Sequence, residues 1–263
     1  VSVVFDGEIY NYLDLKSQLI ETGHEFRSGT DTETIVHAYE QWGLDFLGKL
    51  DGMFSFALLD REQRKCVLAK DPFGKKPLYY AISGGSFLAA SELKAIATHP
   101  GFQQHLNLAA VGKFMAHDYV PTPDTIYRDC WKLLPGSYLE ISTEKPHPLP
   151  SPTRYFQMSF EPKLEISESE AGEEFMRLFR SSVSKRLMSD VPLGVFLSGG
   201  IDSSSIVSMM AETVPSGSLN TFCIGFREDS FDESRFAREV AEWFGTNHHE
   251  KIFRPEEVLD VIP

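Results

Sequence analysis

The spacing of apolar positions changes character along this chain, and the changes divide it. Residues 1–5 form a β-favouring apolar run, predicted as a buried strand that ends in a turn at Asp6 and Gly7. Tyr12, Leu15, Leu19 and Ile20 then recur at helical spacing, with Gly23 closing the helix. A second helix is predicted to open at Asp31-Thr32-Glu33, with Ile35, Ala38, Tyr39 and Trp42 on one side and Gly43 past its end. Strand patterns follow. Residues 53–59 and 66–70 flank a polar turn at 60–64, and residues 78–82 and 87–90 flank Ser83-Gly84-Gly85-Ser86, so two hairpins are predicted. Short helices at 92–98 and 108–117 precede a strand pair over 132–141 around Pro135-Gly136. Antiparallel strands with interleaved helices predict an α+β layered sandwich over residues 1–150.

A proline-rich polar stretch at 144–152 breaks the pattern, and a linker is expected over residues 151–165. Beyond it, Glu168-Ser169-Glu170 suits a helix start, and Phe175, Leu178, Phe179, Val183 and Leu187 mark an amphipathic helix. The short apolar run 195–197 is followed by a helix whose buried side is Ile206, Val207, Met210, Ala211 and Val214. A buried strand over 219–226, a helix carrying Phe236, Val240, Ala241 and Phe244 and capped by Gly245, and a strand at 250–253 complete the alternation. A helical pattern starts again at Pro255. Strand–helix alternation predicts an α/β, doubly wound parallel sheet over residues 166–263.

Composition narrows the class. At 263 residues, 42% hydrophobic and 24% charged, the chain can hold two modest domains and is not a disordered sequence. A net charge of −13 argues against a nucleic-acid surface. No apolar run approaches the ~20 residues of a membrane helix, so no membrane partner is expected. The three cysteines, Cys66, Cys130 and Cys223, are odd in number and far apart. They fit neither a disulfide framework nor a four-cysteine zinc site, and a reducing cytoplasm is expected. The first residues lack an initiator Met and a charged leader, and the last ones stop within a helical pattern, so truncation at both ends is expected.

The densest chemistry lies at residues 194–204. A short strand leads into Ser198-Gly199-Gly200, followed by Ile201, Asp202, Ser203 and Ser204 at the start of a helix. Gly199 and Gly200 are expected to take positive φ and let the backbone approach an anion. The serine hydroxyls, first-turn N–H groups and helix dipole favour phosphate. No Lys follows Gly200, so this is not a Walker loop, and the dinucleotide fingerprint G-x-G-x-x-G is absent. Asp202 is a candidate Mg2+ ligand or, equally, the cap of the helix. Ile224 and Gly225, at the end of the next strand, are candidates for contact with a planar base, and Asp232 is placed to cap the following helix. His248-His249 lacks metal-ligand spacing and is expected at a surface or site wall. Asp71, Lys75 and Lys76 are expected as turn and surface groups.

The motif S-G-G-x-D-S-S resembles the PP-loop of ATP pyrophosphatases. Together with Phe231-Asp232-Glu233-Ser234 and Gly245-Thr246-Asn247-His248-His249-Glu250, it is similar to the synthetase domain of glutamine-hydrolysing asparagine synthetases. Upstream, Asp6-Gly7-Glu8-Ile9-Tyr10-Asn11, Thr30-Asp31-Thr32-Glu33, Leu50-Asp51-Gly52-Met53-Phe54, the run from Asp71 to Tyr80, and Ala90-Ser91-Glu92-Leu93-Lys94 resemble the same family in the same order. The resemblance implies a class II glutamine amidotransferase domain followed by an adenylating domain. ATP and Mg2+ would be needed, with glutamine and aspartate as the other substrates and asparagine, glutamate, AMP and pyrophosphate as products. Asp6, Gly7, Glu8 and Asp31 would bind glutamine. Leu197 and Ile224 would line the adenine pocket, and Ser198, Gly199, Gly200, Asp202 and Ser203 would hold the phosphates.

Two departures qualify the carry-over. The family's N-terminal cysteine nucleophile is not expected within this chain, whose cysteines are internal. Asp6 stands where the family has Asn, so an acceptor-only carboxylate replaces a donor to the oxyanion. A homodimer is a candidate assembly. Two other readings stay open: a PP-loop synthetase of another carboxylate, similar to β-lactam synthetases, with a degenerate glutaminase half, and an inactive binding or regulatory remnant.

Overall fold

The computed structural model describes residues 1–145, 148–189, 191–215, 217–226 and 232–253. They fall into two compact units, Val1–Pro162 and Lys163–Pro263. The helix expected from Pro255 lies outside the described residues.

The first unit is built in four layers. Strands β1 (Ser2–Ile9), β2 (Gly52–Asp60), β3 (Lys65–Lys70), β7 (Ser137–Ser142) and β8 (Thr153–Arg154) form one antiparallel sheet in the order β1-β2-β3-β7-β8. Strands β4 (Tyr79–Ser83), β5 (Ser86–Ala90) and β6 (Cys130–Lys132) form a second, in the order β5-β4-β6. Period-two alternation sends each strand's side chains to opposite faces. Phe54, Phe56, Leu58, Val67 and Ala69 pack on one face with Leu15 and Leu19 of α1 (Tyr12–Glu21) and Ile35 and Ala38 of α2 (Asp31–Trp42). Leu68, Leu139 and Ile141 point the other way, onto Tyr80 and Leu133. Ala81 and Cys130, on the far side of the second sheet, meet Ile96 of α3 (Leu93–Ala97) and Phe102. Helix α4 (Leu108–His117) is capped by Asn107, whose side chain accepts from Ala110 N.

Polar side chains fix the corners. Asn11 donates to Lys49 O at 2.9 Å and accepts from Asp51 N at 2.9 Å, tying the end of β1 to the start of β2. Between them the strands carry Gly7 and Gly52. A Cβ on Gly7 would lie 2.1 Å from Met53 O, and one on Gly52 would lie 2.3 Å from Glu8 O, so only bare backbone fits at either place. Asp71 is almost wholly buried, and its carboxylate accepts from the backbone N–H groups of Phe73, Lys75 and Lys76, each at 3.0 Å.

Several expectations are corrected. The first strand does not end at Asp6-Gly7 but runs to Ile9, paired throughout with β2. Gly7 is held in that strand at φ +152 by the close approach just described. Ile20 is exposed, because Leu15 and Leu19 fill the buried face of α1. Strands β6 and β7 do not pair with each other. The chain crosses from one sheet to the other at Leu133–Gly136, where Leu133 N donates to Leu78 O at 2.9 Å and Gly136 N to Asp71 O at 2.9 Å. Thr153 and Arg154, inside the expected linker, add a strand to β7, and the Tyr155 hydroxyl donates to Lys70 O at 2.7 Å. Asp71 is a buried hub and not a surface group, since an ionised carboxylate is tolerated inside only when its oxygens are hydrogen-bonded.

The second unit holds a parallel sheet, β9 (Gly194–Phe196), β10 (Asn220–Gly225) and β11 (Asn247–Ile252), in the order β11-β10-β9. Helices α5 (Glu168–Lys185), α6 (Ile201–Thr213) and α7 (Ser234–Phe244) connect or precede the strands. Val183, Val207, Met210, Cys223, Ala237 and Ala241 share one core on the helix-covered face. Phe196, Phe222 and Ile224 are exposed among the described residues. A capping box at Ser167 and Glu170 starts α5, although Phe175 and Leu178 of its apolar stripe are exposed.

Two measurements test the first unit. Asp71→Ala removes the shared acceptor of three N–H groups of the loop and should lower stability by about 2 kcal/mol in denaturant titration. Glu33 is held at about 2, below the ordinary 4.5, first by the Ser28 hydroxyl and then by the Arg27 and Ser28 backbone N–H groups. Its folded value is depressed, so its contribution is complete above pH 4.5 and is lost as pH falls through about 2. Glu33→Gln should flatten the acid limb of the stability profile in that window.

Candidate functional site

The loop at 198–200 leaves the carboxyl end of β9 and opens directly into α6. Leu197 N donates to Phe222 O at 2.8 Å, which holds the start of the loop against the middle of β10. Ser203, in the first turn of α6, folds back on the loop. Its Oγ accepts from Ser198 N at 3.2 Å, lies 3.1 Å from Ser198 Oγ, and donates to Gly200 O at 3.3 Å.

The two glycines have different reasons. Gly199 takes φ +80, and a Cβ there would lie 2.4 Å from the Phe236 Cβ and 2.6 Å from Ala237 N. Gly199 is therefore bare because α7 passes against it. Gly200 is the N-cap of α6 at φ −71, not the positive φ expected for it, and the nearest atom to an added Cβ is Ser198 Oγ at 3.4 Å. A side-chain carbon there would make only an ordinary contact. Asp202 lies inside the first turn of α6, past the Gly200 cap, so the capping alternative is removed.

A cavity of about 360 Å³ opens at the ends of β9 and β10. It brings together Leu197, Ser198, Ser203 and Ile224, with Phe196, Phe222, Phe226 and Glu233 completing the wall. Asp202 is not in this wall; it lines a separate depression with Ile201, Ser204 and Phe175. Gly225 is bare for a local reason, since its Cβ would meet Asp232 Oδ1 at 2.9 Å. That Asp232 carboxylate accepts from Phe226 N and Ser234 N, each at 3.2 Å, and from the Ser234 hydroxyl at 2.9 Å, tying β10 to the start of α7. These bonds hold its pKa below the ordinary carboxylate value. Phe231 lies outside the described residues. His248 bonds Thr221 Oγ1 through Nδ1 at 2.8 Å, and burial pushes its pKa down; His249 stacks on Phe222 at 4.9 Å.

In the first unit, the Asp31 carboxylate accepts from Ile9 N at 3.0 Å, reaching from the first turn of α2 to β1. This sets Asp31 beside the Gly7-Glu8 stretch. Thr30 caps α2 by accepting from Glu33 N. Asp6 lies on the β1 face turned from α1 and α2, in a cavity of about 170 Å³ with Ser55, Leu78, Ala90 and Ser91. Its Oδ1 accepts from Lys76 Nζ at 2.8 Å. Lys76 was expected as a surface group; the Asp71 hub turns its backbone so that its side chain reaches Asp6. Sequence spacing missed this pair, which are 70 positions apart. It also passed over His24, His37 and Glu40, which the fold brings together; His37 and Glu40, three apart on one helix, were the available sign.

The layout is that of a two-unit protein, pairing an antiparallel four-layer sandwich with a parallel unit whose serine–glycine loop meets a helix start. Residues 1–156 match the family described as Glutamine amidotransferase domain, and the chain belongs to that family. Residues 174–263 match the family described as Asparagine synthase. The chain is 35% identical over 261 residues to a glutamine-hydrolyzing asparagine synthetase of Bacillus subtilis strain 168, covering 99% of this chain and 40% of that protein. It is 33% identical over 265 residues to a putative one of Methanocaldococcus jannaschii, covering 100% of this chain and 50% of that protein. One from Zea mays is 33% identical, with 100% and 40% covered. The chain thus spans about half the length, or less, of these curated relatives. Among solved structures, a glutamine phosphoribosylpyrophosphate amidotransferase from B. subtilis aligns at TM-score 0.38 and 18% identity, covering 99% of this chain and 50% of that one. A likeness that loose carries no weight here.

The glycines separate packing from binding. Gly199→Ala should cost more than about 3 kcal/mol, because backbone of α7 and a left-handed φ both oppose it. Gly200→Ala should cost below about 1 kcal/mol. Thermal unfolding of the two variants checks the contrast.

Proposed function

We propose that the protein makes asparagine from aspartate, using ATP to adenylate the β-carboxylate and ammonia released from glutamine. One observation carries the nucleotide half: a serine–glycine loop between the end of a parallel strand and a helix start, beside a cavity of about 360 Å³ with an apolar wall. In open α/β sheets this is where ligands bind. The order of the two matched families supports coupling to glutamine.

In this reading Leu197 and Ile224 flank the adenine. Ser198, Gly199, Gly200 and Ser203 surround the phosphates with backbone N–H groups, hydroxyls and the positive end of α6. Attack by the aspartate carboxylate on the α-phosphorus forms the P–O bond and breaks the bond to pyrophosphate, so the loop stabilises the departing anion. ATP would bring Mg2+ to offset the charge of the triphosphate, but Asp202 lines a separate depression and not the loop cavity, so it would have no part in holding that ion. Ammonia then displaces AMP from the acyl-adenylate. In the first unit Asp31 would pair with the glutamine ammonium, and Gly7 and Glu8 would hold its backbone. Asp6, with the Lys76 cation 2.8 Å away, would stand beside the developing oxyanion. The part of the expected linker that follows Tyr155 would join the two halves, and three unpaired cysteines fit a cytoplasmic setting. Among the described residues no helix is long and apolar enough to cross a membrane.

The test is pyrophosphate release by the intact protein with ATP-Mg and aspartate, followed by asparagine formation with glutamine. Release that does not depend on aspartate would favour a different carboxylate, and none at all would defeat the reading. Ser203→Ala should lower release at least tenfold while shifting stability by about 1 kcal/mol. Asp6→Asn restores a donor at the oxyanion and should raise glutamine hydrolysis, on the order of tenfold or more. An unchanged or lower rate would show that Lys76 already serves that anion and depends on Asp6 for its position.

A further inference from the structure

We infer that His24, His37 and Glu40 form a binding site for a divalent transition cation, best suited to Zn2+, that ties the end of α1 to α2. His24 follows α1 by three residues, while His37 and Glu40 sit one turn apart on α2. His24 Nδ1 lies 3.2 Å from His37 Nδ1, His37 Nδ1 lies 2.9 Å from Glu40 Oε2, and His24 Nδ1 lies 3.9 Å from the same oxygen. Four ligands held tetrahedrally at Zn–N and Zn–O distances of ~2.0–2.2 Å stand about 3.3 Å from one another. The three donors are already at that spacing, so a cation can enter between them with small adjustments.

Proton bookkeeping supports the same conclusion. Gln41 Oε1 lies 3.0 Å from His24 Nε2, which matches the tautomer with the proton on Nε2 and a lone pair on Nδ1 turned inward. Glu40 Oε2 is an acceptor as well. Two acceptors thus converge on His37 Nδ1, whose single N–H they share. A divalent cation at Nδ1, with the single ring proton of His37 moved to Nε2, satisfies all three ligand atoms at once. Nε2 lies 3.7 Å from Glu33 Oε1. Gln41 therefore stands behind His24 as a hydrogen-bonded outer partner, as metal-bound histidines commonly have, while Glu33 lies farther off behind His37. Phe26 packs edge-on against His37 at 4.7 Å, which limits ring rotation. Both histidine side chains are largely buried, whereas Glu40 is partly open to solvent, leaving a path for entry and for water as the fourth ligand. Two imidazoles with one carboxylate favour zinc over magnesium or calcium, which take oxygen donors.

The test needs no substrate, so it stands apart from the proposed reaction. The intact protein, stripped with chelator, is titrated with ZnCl2 by calorimetry and with Co2+ by visible absorption. One equivalent should bind at this site, with a tetrahedral Co2+ spectrum and a raised melting temperature. Glu40→Gln should weaken binding at least tenfold, and His24→Gln and His37→Gln at least a hundredfold, whereas exposed His105→Gln should leave it unchanged. Because Glu40 is partly exposed, its variant keeps the test valid where a histidine variant fails to fold. Absence of stoichiometric binding would overturn the inference. So would an affinity unchanged in Glu40→Gln and in the folded histidine variants, which would place the ion on thiols or elsewhere.

Discussion

A single buried carboxylate governs the arrangement of the first unit. Asp71 sits at the end of β3, where the chain must leave one sheet and reach the other, and its oxygens gather the N–H groups of Phe73, Lys75 and Lys76 into a tight loop. Burying a charge is costly unless such donors surround it, so the loop closes around Asp71 and has little alternative shape. Its backbone also serves both directions. Asp71 N donates to Phe54 O, and Asp71 O accepts from Gly136 N, so β2 and the crossover into β7 are both seated on the same residue. Lys76 is then delivered to Asp6. The pairing of Asp6 on β1 thus depends on a turn built around Asp71.

The second unit uses contact where the first uses charge. Gly199 lets α7 approach the loop at backbone distance, and Gly225 makes room for the Asp232 and Ser234 pair that starts the same helix. Helix α7 is thereby fixed at two points on the loop side of the sheet.

Much of this was legible in the chain. Helices with a cap and a periodic face, such as α2 between Thr30 and Gly43, appeared within a residue or two, because local chemistry sets both ends. Both hairpins were readable from their polar turns, and the strand–loop–helix at 194–213 from its glycines and serines. What escaped depended on distant partners. Asp6-Gly7 looks like a turn until Met53 is brought alongside, and β6 and β7 look like a hairpin until Asp71 claims the residues between them. A buried Asp71 and a paired Lys76 have no period to betray them. Of the candidate site residues, Leu197, Ser198, Ser203 and Ile224 share one cavity, whereas Asp202 turns to another. Spacing locates a residue on a helix more readily than it locates what the helix faces.

The resting state of the loop has a consequence for what it admits. Ser198 and Ser203 already satisfy one another and the Gly200 carbonyl, so an incoming molecule must exchange those bonds for its own. A swap of one neutral hydrogen bond for another yields little net free energy. A polyanion would change the balance, since it would engage several donors together and add attraction to the helix end. In the proposed reading, multivalent charge and not any single acceptor is what the loop rewards.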